Sequence, residues 1–184
     1  MTIQVKGLRK KYFNKEAVKG VDFTIEPESI IGLLGRNGAG KSTVLNMIAR
    51  RIEKTSGDIT LDGVDLHKTP RVMHQVYLSS TENWFPKEYK FKDLLSIYKK
   101  TYPEFDSKFA EELIKVFGVN VKERFSKAST GYQSIMKIIL ALCNPSEYIF
   151  MDEPVLGLDA NHRHIFNKKL LEAYARNPRT FVIA

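Results

Sequence analysis

The segment Gly35–Thr43 combines residue types and spacing that suit the binding of phosphate. Its sequence, Gly-Arg-Asn-Gly-Ala-Gly-Lys-Ser-Thr, follows the apolar run 30–34 and precedes an amphipathic stretch at 44–49. A strand, a glycine-rich turn and a helix in this order fit the pattern G-x-x-x-x-G-K-[ST]. Glycines let backbone N–H groups surround phosphate oxygens, and the start of the helix adds positive potential. We therefore predict a nucleoside triphosphate site formed by Gly35, Asn37, Gly38, Ala39, Gly40, Lys41, Ser42 and Thr43.

Two side chains of this loop have predicted chemical tasks. The Lys41 amine is expected to contact the β- and γ-phosphates, and the Ser42 hydroxyl is expected to be a ligand of Mg²⁺. One alternative is a chance match within a glycine-rich turn. A dinucleotide-binding loop is a further alternative, but the order of the glycines and the Lys-Ser pair that follows them disfavour it.

A pair of acids forms the second candidate element of the site. The short apolar run Tyr148–Met151 has the composition of a buried strand and leads directly into Asp152 and Glu153. Open parallel sheets bind their ligands at the carboxyl ends of the strands, which would place these acids beside the phosphates. We expect Asp152 to hold Mg²⁺ and Glu153 to act as a general base towards the attacking water. The alternative is an ordinary strand end with two solvated acids.

Composition limits the class of protein only broadly. The 184 residues are 43% hydrophobic, which suits a single domain with a real core, and the formal net charge is +8. No apolar run approaches the roughly 18 residues of a membrane helix, and we expect no signal peptide. Cys143 is the one cysteine, which fits a reducing compartment and a buried structural thiol. The basic balance suits nucleic acid, an anionic membrane surface or an anionic substrate, and scattered lysines do not discriminate among them.

Hydrophobic periodicity predicts strands that alternate with helices, which is typical of an α/β sheet protein. We expect two or three strands within 2–31, a helix from 41 to about 51, a hairpin turning at Asp62-Gly63, and a strand at 72–78. Further helices are predicted at 91–98, 109–117, 135–143 and 162–176, and further strands at 148–151 and 180–184. We expect one domain, 1–184, with a core at 1–84 and 146–184 and a helical insertion at 85–145.

These motifs follow the order found in the nucleotide-binding subunits of ABC transporters, which the chain resembles over essentially its whole length. Gly35–Thr43 is similar to Walker A, Phe150–Glu153 to the end of Walker B, and Leu156–Asp159 to the D-loop. The resemblance implies ATP and Mg²⁺ as cofactors, with Asp159 at a dimer seam and Tyr12 stacked on adenine. Taken alone, Tyr12 would be an ordinary surface or strand aromatic.

Residues 129–133, Ser-Thr-Gly-Tyr-Gln, lie where the family carries its signature motif, commonly Leu-Ser-Gly-Gly-Gln. The resemblance implies that the Ser129 hydroxyl and the Gly131 N–H complete the site of the opposite subunit across an ATP sandwich. The alternative is that Ser129 merely caps a helix. This variant of the motif is similar to that of Gram-positive bacterial exporters, including the phenol-soluble modulin exporter.

The sequence departs from the family pattern at two places. Ser80 stands where the family has a glutamine, and its shorter side chain does not reach the same distance, which leaves a metal contact through Ser80 open. The family's switch histidine would follow the strand at 180–184, and His162 and His164 do not replace it. The resemblance implies an α/β P-loop NTPase (ABC ATPase) fold with a mixed core sheet, an antiparallel β subdomain and a helical insertion subdomain. The missing histidine further implies that this fold is C-terminally truncated and that the 184-residue chain itself hydrolyses ATP weakly.

The resemblance implies an ATP hydrolase that powers transport through a separate transmembrane permease at the cytoplasmic face of the cell membrane. Its partners would be that permease and a second nucleotide-binding subunit in a head-to-tail dimer, with Trp84 and Phe85 as candidate permease contacts or as core residues. A soluble ABC-type ATPase acting on nucleic acid or ribosomes is an alternative. It usually carries two nucleotide domains or long coiled coils, so we expect no nucleic acid partner. A small-molecule kinase would leave the acids and the signature unexplained.

Overall fold

The computed structural model describes residues 1–184 and divides into two compact units. The first contains residues 1–78, 146–152 and 179–184, and the second contains 79–145 and 153–178. The segment that follows Asp152 thus groups with the helical part of the chain. The domain boundaries expected from the sequence, at 85 and 145, remain a prediction.

The first unit is built on two four-stranded sheets and one α-helix, α1 (Lys41–Ile48). The strands are β1 (Ile3–Tyr12), β2 (Lys15–Ile25), β3 (Ile30–Gly32), β4 (Ser56–Leu61), β5 (Val64–Asp65), β6 (Val76–Ser79), β7 (Tyr148–Met151) and β8 (Thr180–Ile183).

The first sheet has the order β2-β1-β4-β5, and all its pairs are antiparallel. Its β4–β5 hairpin turns at Asp62-Gly63 as the sequence predicts, with positive φ at both residues. The second sheet has the order β3-β8-β7-β6, and β8 pairs in parallel with both β3 and β7. The predicted α/β class with a separate antiparallel sheet is confirmed.

Burial along the strands follows from the position of each strand in its sheet. On β1, Ile3 and Val5 are buried while the residues between and beside them are exposed, because successive side chains point to opposite faces. All four residues of β7 are buried, because a central strand of a parallel sheet is covered on both faces. Side chains of β1, β4, β7 and α1 belong to one hydrophobic core. This core fixes the end of β7 and the start of α1, which carry the candidate site.

The second unit is helical. It contains α2 (Phe91–Thr101), α3 (Ser107–Val116), α4 (Thr130–Leu142) and α5 (Ala160–Arg176), with a short 3-10 helix at Phe125–Lys127. No helix of the chain combines the length and the apolar character needed to cross a membrane.

Two predicted elements differ from the structure for identifiable reasons. Only the end of the strand expected at 72–78 is extended, because Pro70 starts a 3-10 helix that runs to Gln75; proline has the φ of a first helical residue. Helix α4 begins at Thr130 rather than at 135. The Ser129 side chain accepts a hydrogen bond from the backbone N–H of Tyr132 and so starts the helix earlier than its apolar residues indicate.

Candidate functional site

The predicted phosphate loop connects the end of β3 to the first turn of α1. Gly40 precedes the helix with a φ of 91°, in the left-handed region that glycine adopts readily. A Cβ at Gly40 would also lie 2.6 Å from the carbonyl oxygen of Ala17, so the position excludes any side chain. Residues 34–39 are exposed.

The Lys41 amine lies over this loop. Its Nζ donates hydrogen bonds to the carbonyl oxygens of Gly35 at 2.8 Å and Arg36 at 3.3 Å, and the N–H of Ala39 also donates to Arg36. The loop therefore closes around the lysine side chain. A cation at the start of a helix is suited to phosphate, because the helix N-terminus adds positive potential.

Ser42 and Asp152 are 110 residues apart in the sequence but are hydrogen-bonded to each other within the first unit. The Ser42 Oγ donates a hydrogen bond of 3.0 Å to Oδ1 of Asp152, which follows β7 and is only 4% exposed. Burying a carboxylate is costly unless a cation or a metal ion pairs with it, and a hydroxyl group alone does not neutralise its charge. Carboxylate and hydroxyl oxygens are ligands that Mg²⁺ accepts together with waters and phosphate, so the two residues fit this ion. The structure shows no cluster of three or more acids, histidines or cysteines that could hold a metal.

Glu153 occupies an unusual backbone conformation. Its φ is 47°, its side chain is exposed, and its carbonyl oxygen accepts a hydrogen bond from the N–H of Leu156. A non-glycine residue in the left-handed region stores strain of roughly 1–3 kcal/mol, and such residues concentrate at functional sites. The chain thus turns sharply after the buried Asp152, and the Glu153 side chain is exposed. Its role as a general base remains a prediction.

The signature segment lies in the second unit, whereas the phosphate loop lies in the first. Ser129 is the N-cap of α4, so the capping role considered as an alternative is present in the structure. A capping hydroxyl accepts through its oxygen and keeps its own hydrogen available, so capping does not exclude a contact with phosphate.

Gly131 has a packing reason to be glycine. A Cβ at this position would lie 2.3 Å from the carbonyl oxygen of Gly157, in the segment predicted to be the D-loop. One turn along, the hydroxyl of Ser134 donates a hydrogen bond of 2.8 Å to the carbonyl oxygen of Leu156. The start of α4 and the D-loop are therefore in direct backbone contact within the second unit, which the sequence does not indicate.

Asp159 and Tyr12, two further residues predicted for the site, each have identified contacts. Asp159 caps α5, accepting from the N–H of His162 at 2.8 Å and pairing with its ring at 3.0 Å; these hydrogen bonds lower the pKa of Asp159. His162 also stacks on Phe117, in agreement with a structural role. Tyr12 ends β1 and is 43% exposed, with the Lys10 amine 4.8 Å from its ring centre.

The two aromatic residues considered as partner contacts differ in exposure. Trp84 is 67% exposed, whereas Phe85 is partly buried and packs edge-on against Phe125. Ser80 is buried at 6% exposure, and its Oγ lies 3.5 Å from the carbonyl oxygen of Glu82. The Ser80 hydroxyl is thus directed into its own loop. Its suggested role as a metal contact remains a prediction.

Sequence reasoning missed Lys137, the one charged residue of α4. Its Nζ donates to the carbonyl oxygens of three successive residues: Ser80 at 2.8 Å, Thr81 at 2.9 Å and Glu82 at 3.2 Å. The signal was available, because a single lysine within the apolar run 135–143 must find acceptors or reach solvent.

Comparisons with known proteins identify the family of the chain. The profile of the family described as "ABC transporter" matches residues 18–156. The ABC transporter ATP-binding protein YtrB of Bacillus subtilis is 33% identical over 181 residues, which cover 98% of this chain and 62% of that protein. NatA, an ABC transporter ATP-binding protein of the same organism, is 32% identical over 177 residues, which cover 92% of this chain and 71% of NatA.

Solved structures show the same fold. A putative ABC transporter ATP-binding protein from Pyrococcus furiosus superposes with a TM-score of 0.81 at 20% identity, covering 100% of this chain and 91% of the other. The ATP-binding subunit of an ABC transporter superposes with a TM-score of 0.83 at 22% identity, covering 100% and 79%. From the family profile, which spans most of the chain, and from relatives above 30% identity, we conclude that this chain belongs to the ABC transporter family as an ATP-binding domain.

Proposed function

We propose that the chain is the ATP-hydrolysing subunit of a transporter whose membrane-spanning permease is a separate protein. The observation that carries the proposal is the 3.0 Å hydrogen bond between Ser42 and Asp152, which joins the phosphate loop to the end of β7. It brings a hydroxyl and a buried carboxylate together at the start of the helix that also supplies Lys41. A loop that only bound phosphate would not require the buried acid.

In this proposal, the residues of the first unit bind and orient the nucleotide. The N–H groups of the loop and the Lys41 amine hold the β- and γ-phosphates, while Tyr12 stacks on the adenine ring. Ser42 and Asp152 would hold Mg²⁺, which neutralises charge on the phosphate oxygens. Catalysis then depends mainly on positioning and on charge stabilisation.

Glu153 would take a proton from the water that attacks the γ-phosphate. Glu153 directly follows the buried Asp152 in sequence. Its side chain is exposed, and its backbone has a positive φ of 47°. Ser129 and Gly131 would act on the site of a second copy, since α4 presents them at its start, where the helix dipole favours anions. Two copies would therefore close head to tail around two ATP molecules, with Asp159 at the seam.

The location follows from the proposed partner. We propose a position at the cytoplasmic face of the cell membrane, held there by the permease, with Trp84 and Phe85 as candidate contacts to it. The relatives carry names for both directions of transport, including a lipopolysaccharide export system ATP-binding protein of Haemophilus influenzae and a ribose import ATP-binding protein of Halalkalibacterium halodurans. The substrate and the direction are therefore left to the permease.

The experiment is ATP-dependent dimerisation of the Glu153→Gln variant, which removes the base but keeps the size of the side chain. With millimolar ATP and Mg²⁺, light scattering after gel filtration should show the 21.1 kDa chain shifting to twice its mass. The matched control is Glu147→Gln, the same change at an exposed residue before β7, which should hydrolyse ATP like the unmodified protein. A Glu153→Gln variant that binds ATP and stays monomeric would contradict the two-copy site.

A further inference from the structure

The loop at positions 80–83 is bound to α4 by side chains of that helix. Lys137 contributes three hydrogen bonds, of 2.8, 2.9 and 3.2 Å, to the successive carbonyl oxygens of Ser80, Thr81 and Glu82. An ammonium group has three donors, which matches these three acceptors in number. Hydrogen bonds from a charged donor are roughly twice as strong as neutral ones, so Lys137 contributes substantially to holding the loop.

Gln133, one helical turn before Lys137, makes a second attachment. Its Oε1 accepts a hydrogen bond of 2.8 Å from Nδ2 of Asn83, and its Nε2 donates at 3.0 Å to the carbonyl oxygens of Phe125 and Ala128. Residues four apart lie on the same face of a helix, so both side chains point to the same loop. Gln133 thus joins the loop to the segment that leads into Ser129.

We propose that Lys137 and Gln133 are positioning residues, which fix the 80–83 loop and the start of α4 as one rigid element. This inference rests on the proposed function, in which α4 presents Ser129 and Gly131 to the nucleotide of a second copy. The Lys137 part of this attachment uses backbone carbonyls and so does not depend on the side chains of residues 80–82, whereas the Gln133 part requires the Asn83 amide. The attachment by Lys137 is therefore compatible with serine at position 80, where the resemblance leads one to expect glutamine.

The pair and the phosphate loop belong to different units of the chain. Lys137 and Gln133 belong to the second unit, as do residues 80–83, Ser129 and Gly131, whereas Lys41 and Ser42 belong to the first. Loss of the attachment should therefore weaken closure of two copies without weakening the binding of ATP to one copy. A merely structural role would not separate these two affinities.

The experiment uses the Glu153→Gln protein with a second substitution, either Lys137→Met, Lys137→Arg or Lys108→Met. Lys137→Met keeps the length of the side chain but removes the donors, and Lys137→Arg keeps a cation with donors. Lys108 is an exposed lysine on α3 and provides the matched control. Three quantities are measured: the affinity of the monomer for a fluorescent ATP analogue, the dissociation constant of the ATP-bound dimer, and the time-resolved anisotropy of Trp84, the one tryptophan.

We expect Lys137→Met to raise the dimer dissociation constant at least tenfold, with monomer affinity for the ATP analogue within twofold of the parent. The amplitude of fast depolarisation of Trp84 should at least double, because this residue directly follows the loop. Lys137→Arg should bring the dimer dissociation constant and the Trp84 depolarisation most of the way back to the values of the parent protein. Lys108→Met should change neither quantity. Asn83→Ala, a change at an exposed residue, should act in the same direction by two- to threefold and keeps the test valid if Lys137→Met folds poorly.

Two results would overturn the inference. An unchanged Trp84 anisotropy in Lys137→Met would show that the loop is held by other contacts. A mobile loop with an unchanged dimer dissociation constant would show that the attachment does not position the site. A failure of the parent Glu153→Gln protein to dimerise counts against the proposed function instead, and the anisotropy still decides whether Lys137 holds the loop.

Discussion

Replacing Gly131 with alanine tests the contact between the start of α4 and the D-loop. Residue 131 lies within a helix and has no positive φ, so helix propensity alone predicts that alanine stabilises the protein by roughly 0.4–1 kcal/mol. The structure predicts the opposite sign. The added Cβ would lie 2.3 Å from the carbonyl oxygen and 3.0 Å from the carbonyl carbon of Gly157.

The size of the effect depends on whether the D-loop can retreat. An ordinary contact would require the two backbones to separate by about 1 Å. Ser134 opposes this movement, since its hydroxyl holds the carbonyl oxygen of Leu156 at 2.8 Å. Overpacking of this kind costs about 1–3 kcal/mol, which exceeds the gain from propensity, so we expect a net loss of about 1–2 kcal/mol.

The assay is urea unfolding followed by circular dichroism, with the free energy of unfolding obtained by linear extrapolation. Gly32→Ala is the matched control, because Gly32 has an ordinary φ and a Cβ there would meet nothing within 4 Å. The control should be neutral or slightly stabilising. If Gly131→Ala is as stable as the unmodified protein or more stable, the backbone contact with Gly157 is not a constraint, and the argument fails.

Four further predictions concern other side chains. Ser42→Ala should weaken ATP binding at least about tenfold in the presence of Mg²⁺ and leave it unchanged in chelator, as measured by calorimetry; equal losses in both would contradict a metal role. Tyr12→Ala should lower ATP affinity about tenfold while Tyr12→Phe does not, since stacking contributes roughly 1–3 kcal/mol; equal affinities would remove Tyr12 from the site. The hydrogen bond from Lys169 lowers the pKa of Glu172 below its usual 4.5, so the stabilisation is present above that pH and is lost as pH falls through the folded-state pKa. Lys169→Met should make the free energy of unfolding, measured by urea titration, depend less on pH in the acid range. An unaltered pH dependence would refute the pairing. Burial raises the pKa of Tyr148 to about 12 from 10.0, so stability should fall as pH rises above 10; Tyr148→Phe should remove the latest phenolate absorbance step, and its persistence would assign that step to another tyrosine.

Local sequence was sufficient for the elements whose signals are contiguous. The turn between β3 and α1, the β4–β5 hairpin and strand β7 were predicted with nearly the correct bounds, because turn glycines and apolar runs act on neighbouring residues. Boundaries that depend on caps were less accurate. Helix α4 begins earlier than its apolar residues indicate, because capping at Ser129 is a matter of hydrogen-bond geometry rather than of hydrophobicity.

The sequence by itself determined which residues could bind phosphate and hold a metal, since the loop pattern and the acids after β7 specify that chemistry. Only the tertiary structure brought Ser42 to Asp152, which lie 110 residues apart, and Lys137 to the carbonyl of Ser80, 57 residues apart. Only the structure showed that Gly131 must lack a side chain because Gly157 lies against it. Such contacts depend on how sheets and helices pack, and packing is a property of the whole chain that no local pattern contains.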